Sequence, residues 1–127
     1  MIVVDTSALT AIALREPTGP ACLARLQIED RLLISAGTLT ELLIVASRKT
    51  VSAAVRHVIT TFDFEVVPVT AAFAEHTATA YRQWGKGFHP AALNFGDCFA
   101  YALAKEQDCP LLYVGDDFAR TDIASAL

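Results

Sequence analysis

The sequence lacks the features that mark several classes of protein. Its three cysteines form no C-x-x-C pair, so we expect neither a disulfide framework nor a zinc ribbon. No apolar run approaches the roughly 20 residues that a spanning helix needs, and no basic start precedes an apolar run as in a signal peptide. We therefore expect a cytoplasmic protein without a membrane segment.

Positive charge is also scarce, because the formal net charge is −4. A domain that binds nucleic acid directly and tightly is usually basic. Any nucleic-acid function must therefore depend on a local basic patch, or on metal ions that offset acidic groups. A basic protein partner fits the same charge.

The residues that are present predict a well-packed globular domain. Apolar residues make up 54% of the chain and charged residues 19%, which excludes a disordered chain. A length of 127 residues fits one domain, and no repeat, linker or low-complexity stretch interrupts it. We therefore expect a single domain over residues 1–127.

Short apolar runs alternate with helical patterns along the chain. We predict strands at 2–4, 31–35, 65–69 and 111–114, and helices at 8–14, 19–27, 36–47, 51–62, 71–84 and 95–106. The last ten residues are expected to form a short helix or a terminal strand. The helix at 95–106 has a predicted core stripe of Phe95, Phe99, Ala102 and Leu103. This alternation predicts a parallel sheet covered by helices on both faces.

Acidic residues fall where the predicted strands end. Asp5 follows the first strand directly, and Asp116 and Asp117 follow the fourth after one glycine. Glu41 and Asp97 lie in the first turns of two helices. Because sites of α/β proteins form at the carboxyl ends of parallel strands, we expect these side chains to share one cleft.

Such a cluster predicts a metal centre. Carboxylates in one cleft repel one another, which raises their pKa values unless cations compensate. Oxygen ligands without a cluster of histidine or cysteine favour Mg²⁺ or Mn²⁺. These ions lower the pKa of an attacking water and offset charge on a phosphate, so we predict metal-assisted phosphodiester hydrolysis.

Each acid also has a structural explanation of its own. Asp5 is equally well explained as a helix cap, and Asp97 as a first-turn acid that the helix dipole favours. Glu41 fits a capping box, although its apolar helical neighbours predict a buried acid that needs a partner. Asp116 and Asp117 fit an ordinary turn. The prediction of a shared site therefore depends on their common edge of the sheet.

A loop ahead of Asp97 carries alternating basic and aromatic residues. Basic groups such as Arg82, Lys86 and His89 bind phosphates, and the aromatic residues between them stack on unpaired bases. The alternative is a solvated loop with one anchoring aromatic. His89 also has the chemistry of a general acid or base, although substrate contact or packing is the favoured role.

With these residues placed, the chain resembles the PIN-domain ribonucleases, and within them the VapC toxins of bacterial toxin–antitoxin modules. The match runs nearly end to end, through IVVDTSAL at 2–9, SAGTLTEL at 35–42, YRQWGKGFHPAALNFGDCFAYALA at 81–104 and LLYVGDDFARTDI at 111–123. The last two motifs, in that order, are the most specific. The resemblance implies a PIN-like three-layer α/β/α domain with a central, mainly parallel sheet of four to five strands.

The resemblance further implies an endoribonuclease that depends on Mg²⁺ or Mn²⁺, is usually dimeric and is silenced by a cognate VapB-like antitoxin. It places the catalytic acids at Asp5, Glu41, Asp97 and one of the final pair, with Asp5 and Asp97 as direct metal ligands. Asp117 is preferred because the family acid directly precedes a phenylalanine, and Asp116 then assists through water. The family's hydroxyl positions beside the first aspartate and the basic loop complete the predicted substrate-binding residues: Thr6, Ser7, Arg82, Lys86 and His89.

Three other functions fit parts of the sequence. A phosphatase with Asp5 as nucleophile typically has a second acid two residues on, where this chain has Ser7. A non-catalytic RNA-binding or interaction module on the same fold would not need four acids. A Cys98–His89 nucleophile is disfavoured because Cys98 lies beside Asp97, whose charge opposes a thiolate.

Overall fold

The structure, a computed structural model, describes residues 1–127. Its central sheet has four parallel strands in the order β3-β2-β1-β4. A single parallel bridge between Leu111 and Ser125 extends the sheet beyond β4. The predicted parallel sheet of four to five strands is confirmed. The strands are β1 (Ile2–Val4), β2 (Leu32–Ser35), β3 (Phe64–Val67) and β4 (Leu111–Leu112).

Helices cover both faces of this sheet, as an α/β/α domain requires. Because successive side chains of a strand point to opposite faces, Ile2 and Val4 pack with α1 to α4, whereas Val3 packs with α5 and α6. No helix is both long enough and apolar enough to cross a lipid bilayer. The helices are α1 (Thr6–Ala13), α2 (Gly19–Ile28), α3 (Ala36–Arg48), α4 (Ser52–Thr61), α5 (Ala71–Trp84) and α6 (Phe95–Glu106), followed by a 3₁₀ turn at Phe118–Arg120.

The strand order sets the position of the site. The chain runs from β1 outward to β2 and β3, and then returns to place β4 on the other side of β1. Connections from β1 and β4 therefore leave in opposite directions and open a crevice at the carboxyl ends of these two strands. In open parallel sheets this crevice is the usual place for a ligand.

Two predictions about burial are wrong. Phe95 is 72% exposed rather than part of the core, because it is the first residue of α6 and its ring lies outside the domain, edge-on to Phe99. Glu41 is half-buried rather than buried. The apolar pattern of α3 overstates its burial, since Ile44 on the same helix is 52% exposed.

Candidate active site

A cleft of about 330 Å³ opens at the carboxyl ends of β1 and β4. Five of its lining residues are acidic and none is basic. Four of those acids, Asp5, Glu41, Asp97 and Asp117, are the residues that the sequence placed at this edge. The lining consists of Asp5, Thr6, Ser7, Thr10, Glu16, Glu41, Val45, Asp97, Val114, Asp117 and Phe118.

One carboxylate oxygen of Asp5 caps a helix, and the other has no hydrogen-bond partner. It is the N-cap of α1, and its Oδ2 accepts hydrogen bonds from the Ser7 backbone N–H at 3.0 Å and the Ser7 hydroxyl at 2.6 Å. Its Oδ1 is buried and has no hydrogen-bond partner. A buried carboxylate oxygen without a partner is costly, so this atom points to a ligand that the chain itself does not supply.

Two adjacent hydroxyls hold two of the acids in place. The Ser7 hydroxyl, besides donating to Asp5, accepts a hydrogen bond from the Val114 backbone N–H at 3.0 Å. It thereby ties the start of α1 to the chain just after β4. The Thr6 hydroxyl donates to Oε1 of Glu41 at 2.6 Å. A hydroxyl has one hydrogen to donate, so both donors are committed to carboxylates in this structure.

Asp97 reaches the cleft from the first turn of α6. Its Oδ2 accepts a hydrogen bond from the Asn94 backbone N–H at 2.9 Å, which fixes the carboxylate at the helix start. The preceding residue, Gly96, leaves room for the Glu41 carboxylate, because a Cβ atom on Gly96 would overlap Oε2 of Glu41 and displace it. Gly96 thus lets α3 and α6 bring Glu41 and Asp97 to the same cleft.

The electrostatics of the cleft reflect uncompensated negative charge. Burial raises the pKa of Asp5 to about 6, and the charge of Glu41 adds to the rise against the hydrogen bonds from Ser7. Burial raises the pKa of Asp97 to about 7, with further contributions from Asp5, Asp117 and Glu41. Both carboxyls are thus buried beside other acids without a compensating positive charge, which is the environment that a bound cation would relieve.

The donor set fits a hydrated hard cation better than a fully dehydrated one. No three acidic, histidine or cysteine side chains form a preassembled group of metal ligands. Mg²⁺ is commonly bound through one or two carboxylates and keeps several waters, so such a group is not needed. The free Oδ1 of Asp5 and a lining whose polar side chains offer only oxygen atoms are the features that suit Mg²⁺ or Mn²⁺.

The structure separates the remaining predicted residues from the cleft. Asp116 and Asp117 are both exposed, but only Asp117 lines the cleft. Arg82 and Lys86 are exposed, and His89 packs edge-on to Trp84 while its Nδ1 accepts the Ala91 backbone N–H. The carboxylate cluster and the basic loop therefore form two sites on the surface rather than one.

The cysteine alternative does not fit the structure. Cys98 is fully buried, and burial together with the charge of Asp97 raises the pKa of its thiol to about 12. The Cys98 thiol donates to the Asn94 carbonyl at 3.5 Å rather than to His89. A buried thiol of this kind is not a nucleophile near neutral pH.

Sequence reasoning missed five residues of the lining: Thr10, Glu16, Val45, Val114 and Phe118. Thr10 and Val45 lie within helices, where helical periodicity alone does not say which face meets a cleft. Glu16 follows α1 rather than a strand, so the rule of strand ends does not find it. Its only signal in the sequence is an acidic residue in the short connection after α1.

Comparisons with known proteins agree with the fold. The PIN-domain profile matches residues 2–124. Ribonuclease VapC30 of Mycobacterium tuberculosis is 37% identical over 127 residues, which cover 98% of this chain and 97% of that protein. Ribonuclease VapC28 of the same species is 39% identical over 130 residues, which cover 99% of this chain and 98% of that protein.

Solved structures show the same fold at lower identity. Mycobacterium tuberculosis VapC20, described as a sarcin-ricin-loop-cleaving toxin, superposes with a TM-score of 0.79 at 16% identity, over 98% of this chain and 97% of that chain. A toxin–antitoxin complex from Klebsiella pneumoniae gives a TM-score of 0.73 at 17% identity, over 100% of this chain and 98% of that chain. The predicted fold class and family are thus confirmed, and the chain belongs to the PIN-domain family, within its VapC group.

Proposed function

We propose that the chain is a divalent-metal-dependent endoribonuclease that acts in the cytoplasm as the toxin of a toxin–antitoxin module. The observation that carries this proposal is the free, buried Oδ1 of Asp5 in a cleft with five acids and no basic residue. Mg²⁺ or Mn²⁺ bound there would activate a water molecule and offset the charge of an RNA phosphodiester.

The residues of the cleft have distinct roles in this proposal. Asp5 and Asp97 hold the metal, because they are the most buried of the acids and their pKa values are raised. Glu41 and Asp117 complete the negative site. The lining position of Asp117 supports it as the fourth acid, with Asp116 limited to an indirect role. Since a ligand must be ionised to bind a cation, metal binding displaces protons from these carboxyls near neutral pH.

Thr6 and Ser7 act on the substrate indirectly, because their hydroxyl hydrogens are used on Glu41 and Asp5. The cleft repels a bare phosphate, so RNA binds through the metal and through groups outside the cleft. Exposed Arg82 and Lys86, together with His89, are our candidates for those outer contacts. The Klebsiella pneumoniae relative is a toxin–antitoxin complex, which supports a VapB-like antitoxin as partner. We also propose a homodimer.

The decisive experiment measures RNA cleavage by the purified chain, free of antitoxin, with Mg²⁺ or Mn²⁺ and with a chelator. Chelation should abolish cleavage, and Asp5→Asn and Asp97→Asn should each lower the rate by at least about 100-fold while staying folded, because even groups that only support metal ligands cost 10–100-fold. Glu75→Gln is the matched control, since Glu75 is an exposed acid outside the cleft.

Full activity in chelator, or in either aspartate variant, would overturn the metal mechanism. A wild-type chain that binds RNA but does not cleave it, whichever divalent cation is supplied, would instead support a non-catalytic binding module on the same fold. Growth arrest on expression, relieved by a co-expressed antitoxin, is the corresponding readout for the toxin role.

A further inference from the structure

Glu16, the unpredicted fifth acid of the cleft, is held there by a rigid backbone turn. After α1 ends, Arg15 adopts a φ of 54°, and the Glu16 backbone N–H donates to the Ala11 carbonyl at 2.9 Å. The Glu16 carbonyl accepts from the Gly19 N–H at 2.9 Å. Gly19 also packs against α1 so closely that a Cβ atom would lie 2.7 Å from the Ala11 oxygen. The position of Glu16 is therefore built into the fold.

The Glu16 carboxylate has no ion pair and no side-chain hydrogen bond, although the residue is half-buried. Glu29 is another half-buried acid, but its charge is compensated by ion pairs with Arg25 and with the N-terminal amine. The hydroxyl oxygen of Thr10, which lines the same cleft as Glu16, is likewise buried without a hydrogen-bond partner. Besides Oδ1 of Asp5, the cleft thus contains oxygen atoms of Glu16 and Thr10 that have no hydrogen-bond partner.

We infer that Glu16 is a further positioning residue for the divalent cation, and that it acts through the water molecules the cation retains. This inference rests on the proposed function. Mg²⁺ keeps several waters when few carboxylates bind it, and outer groups that accept hydrogen bonds from such waters orient them and raise affinity. Glu16 does not bind the RNA phosphate itself, because both groups are negatively charged. Thr10 offers a neutral oxygen for the same purpose.

The test measures Mn²⁺ binding to the intact chain by electron paramagnetic resonance, without RNA. Glu16→Gln should raise the Kd for Mn²⁺ by about three- to tenfold, and Thr10→Val should raise it less. The Mn²⁺ concentration for half-maximal RNA cleavage should rise by the same factor. Glu16→Asp, which keeps the charge, should recover part of the affinity. Glu75→Gln should bind Mn²⁺ as the wild type does.

Thermal unfolding separates this role from a merely structural one. If Glu16 serves the cation, Glu16→Gln removes a repelled charge, so the metal-free Tm stays equal or rises while the stabilisation by Mn²⁺ shrinks. A lower metal-free Tm with unchanged Mn²⁺ affinity would overturn the inference and leave the proposed function intact. If the wild type binds no Mn²⁺ at all, the proposed metal dependence fails and the inference fails with it.

Discussion

The protein contains two clusters of polar side chains that differ in whether a positive group compensates the carboxylates. Beside α6, the Trp84 indole N–H donates to the Tyr101 hydroxyl at 2.8 Å, and that hydroxyl donates to Asp122 at 2.6 Å. Lys105 pairs with Asp122 from the other side at 3.0 Å. The Tyr101 hydrogen bond and the Lys105 ammonium lower the pKa of Asp122. We call this group the paired cluster.

In the carboxylate cleft, by contrast, no lysine or arginine approaches the acids, and the pKa values of Asp5 and Asp97 rise to about 6 and about 7. The paired cluster shows that this chain neutralises a carboxylate where the fold alone is served. This contrast supports the proposal that the acids of the cleft, which destabilise one another in the metal-free chain, serve to bind a cation.

The largest expected effect is a dependence of metal-free stability on pH that comes from the cleft. The folded-state pKa values of Asp5 and Asp97 lie above the usual 3.8, so the folded chain binds protons more tightly than the unfolded chain. Their stabilising contribution is full near pH 4 and is lost as pH rises through about 6 and about 7. Urea titrations with chelator should show an unfolding free energy lower by on the order of 3 kcal/mol at pH 8 than at pH 5.

Two variants test whether the acids of the cleft cause this change of the unfolding free energy with pH. The double variant Asp5→Asn/Asp97→Asn should flatten the slope between pH 5 and pH 8. Asp122→Asn should keep it, because the lowered pKa of Asp122 confines its own contribution to acid conditions below about pH 4. A slope that survives the double variant would show that the cleft is not its origin.

The second prediction compares one residue from each cluster at pH 8 without metal. Tyr101→Phe leaves the Trp84 N–H without its acceptor and removes the donor to Asp122, so it should cost about 2 kcal/mol of unfolding free energy. Asp97→Asn should instead stabilise the chain, since its amide oxygen still accepts the Asn94 N–H while a repelled charge is lost. Equal losses in both variants would contradict the distinction between the clusters.

The smallest effect is expected at Ser7, which supports the cleft without carrying charge. Ser7→Ala removes the donor to Asp5 and the acceptor for the Val114 N–H. RNA cleavage should fall about tenfold, which corresponds to about 1.4 kcal/mol in activation free energy. Ser47→Ala, at an exposed serine of α3, is the control and should leave the rate unchanged. A Ser7→Ala rate equal to that of the control would remove Ser7 from the mechanism.

The sequence predicted the layers and most of the cleft because both follow from local patterns. Apolar runs such as 2–4 and 32–34 alternate their side chains between the two faces, and the acids at 5 and 117 lie just beyond strand ends. Asp117 was favoured over Asp116 only by resemblance to a family. Spacing along the chain does not say which of two neighbouring acids in a turn faces the crevice.

The remaining residues depend on three-dimensional contacts that no local pattern reports. Glu16 enters the cleft because Arg15 adopts a left-handed backbone conformation, which is uncommon for a residue other than glycine. Phe95 fits a helical core stripe, but the first turn of α6 buries Gly96, Asp97 and Cys98 instead and leaves the Phe95 ring outside. The charged groups of the 82–89 loop fit substrate binding in the sequence but lie outside the cleft.

Gly96 has a consequence for how activity can be removed from this protein. Because a single methyl group at this position would occupy the space of the Glu41 carboxylate, Gly96→Ala should push that carboxylate out of its place in the cleft. A substitution that adds volume at Gly96 should therefore abolish activity, as should a substitution that removes the charge of an acid. Such a silent variant would keep every acidic residue, and with them the negative charge of the cleft.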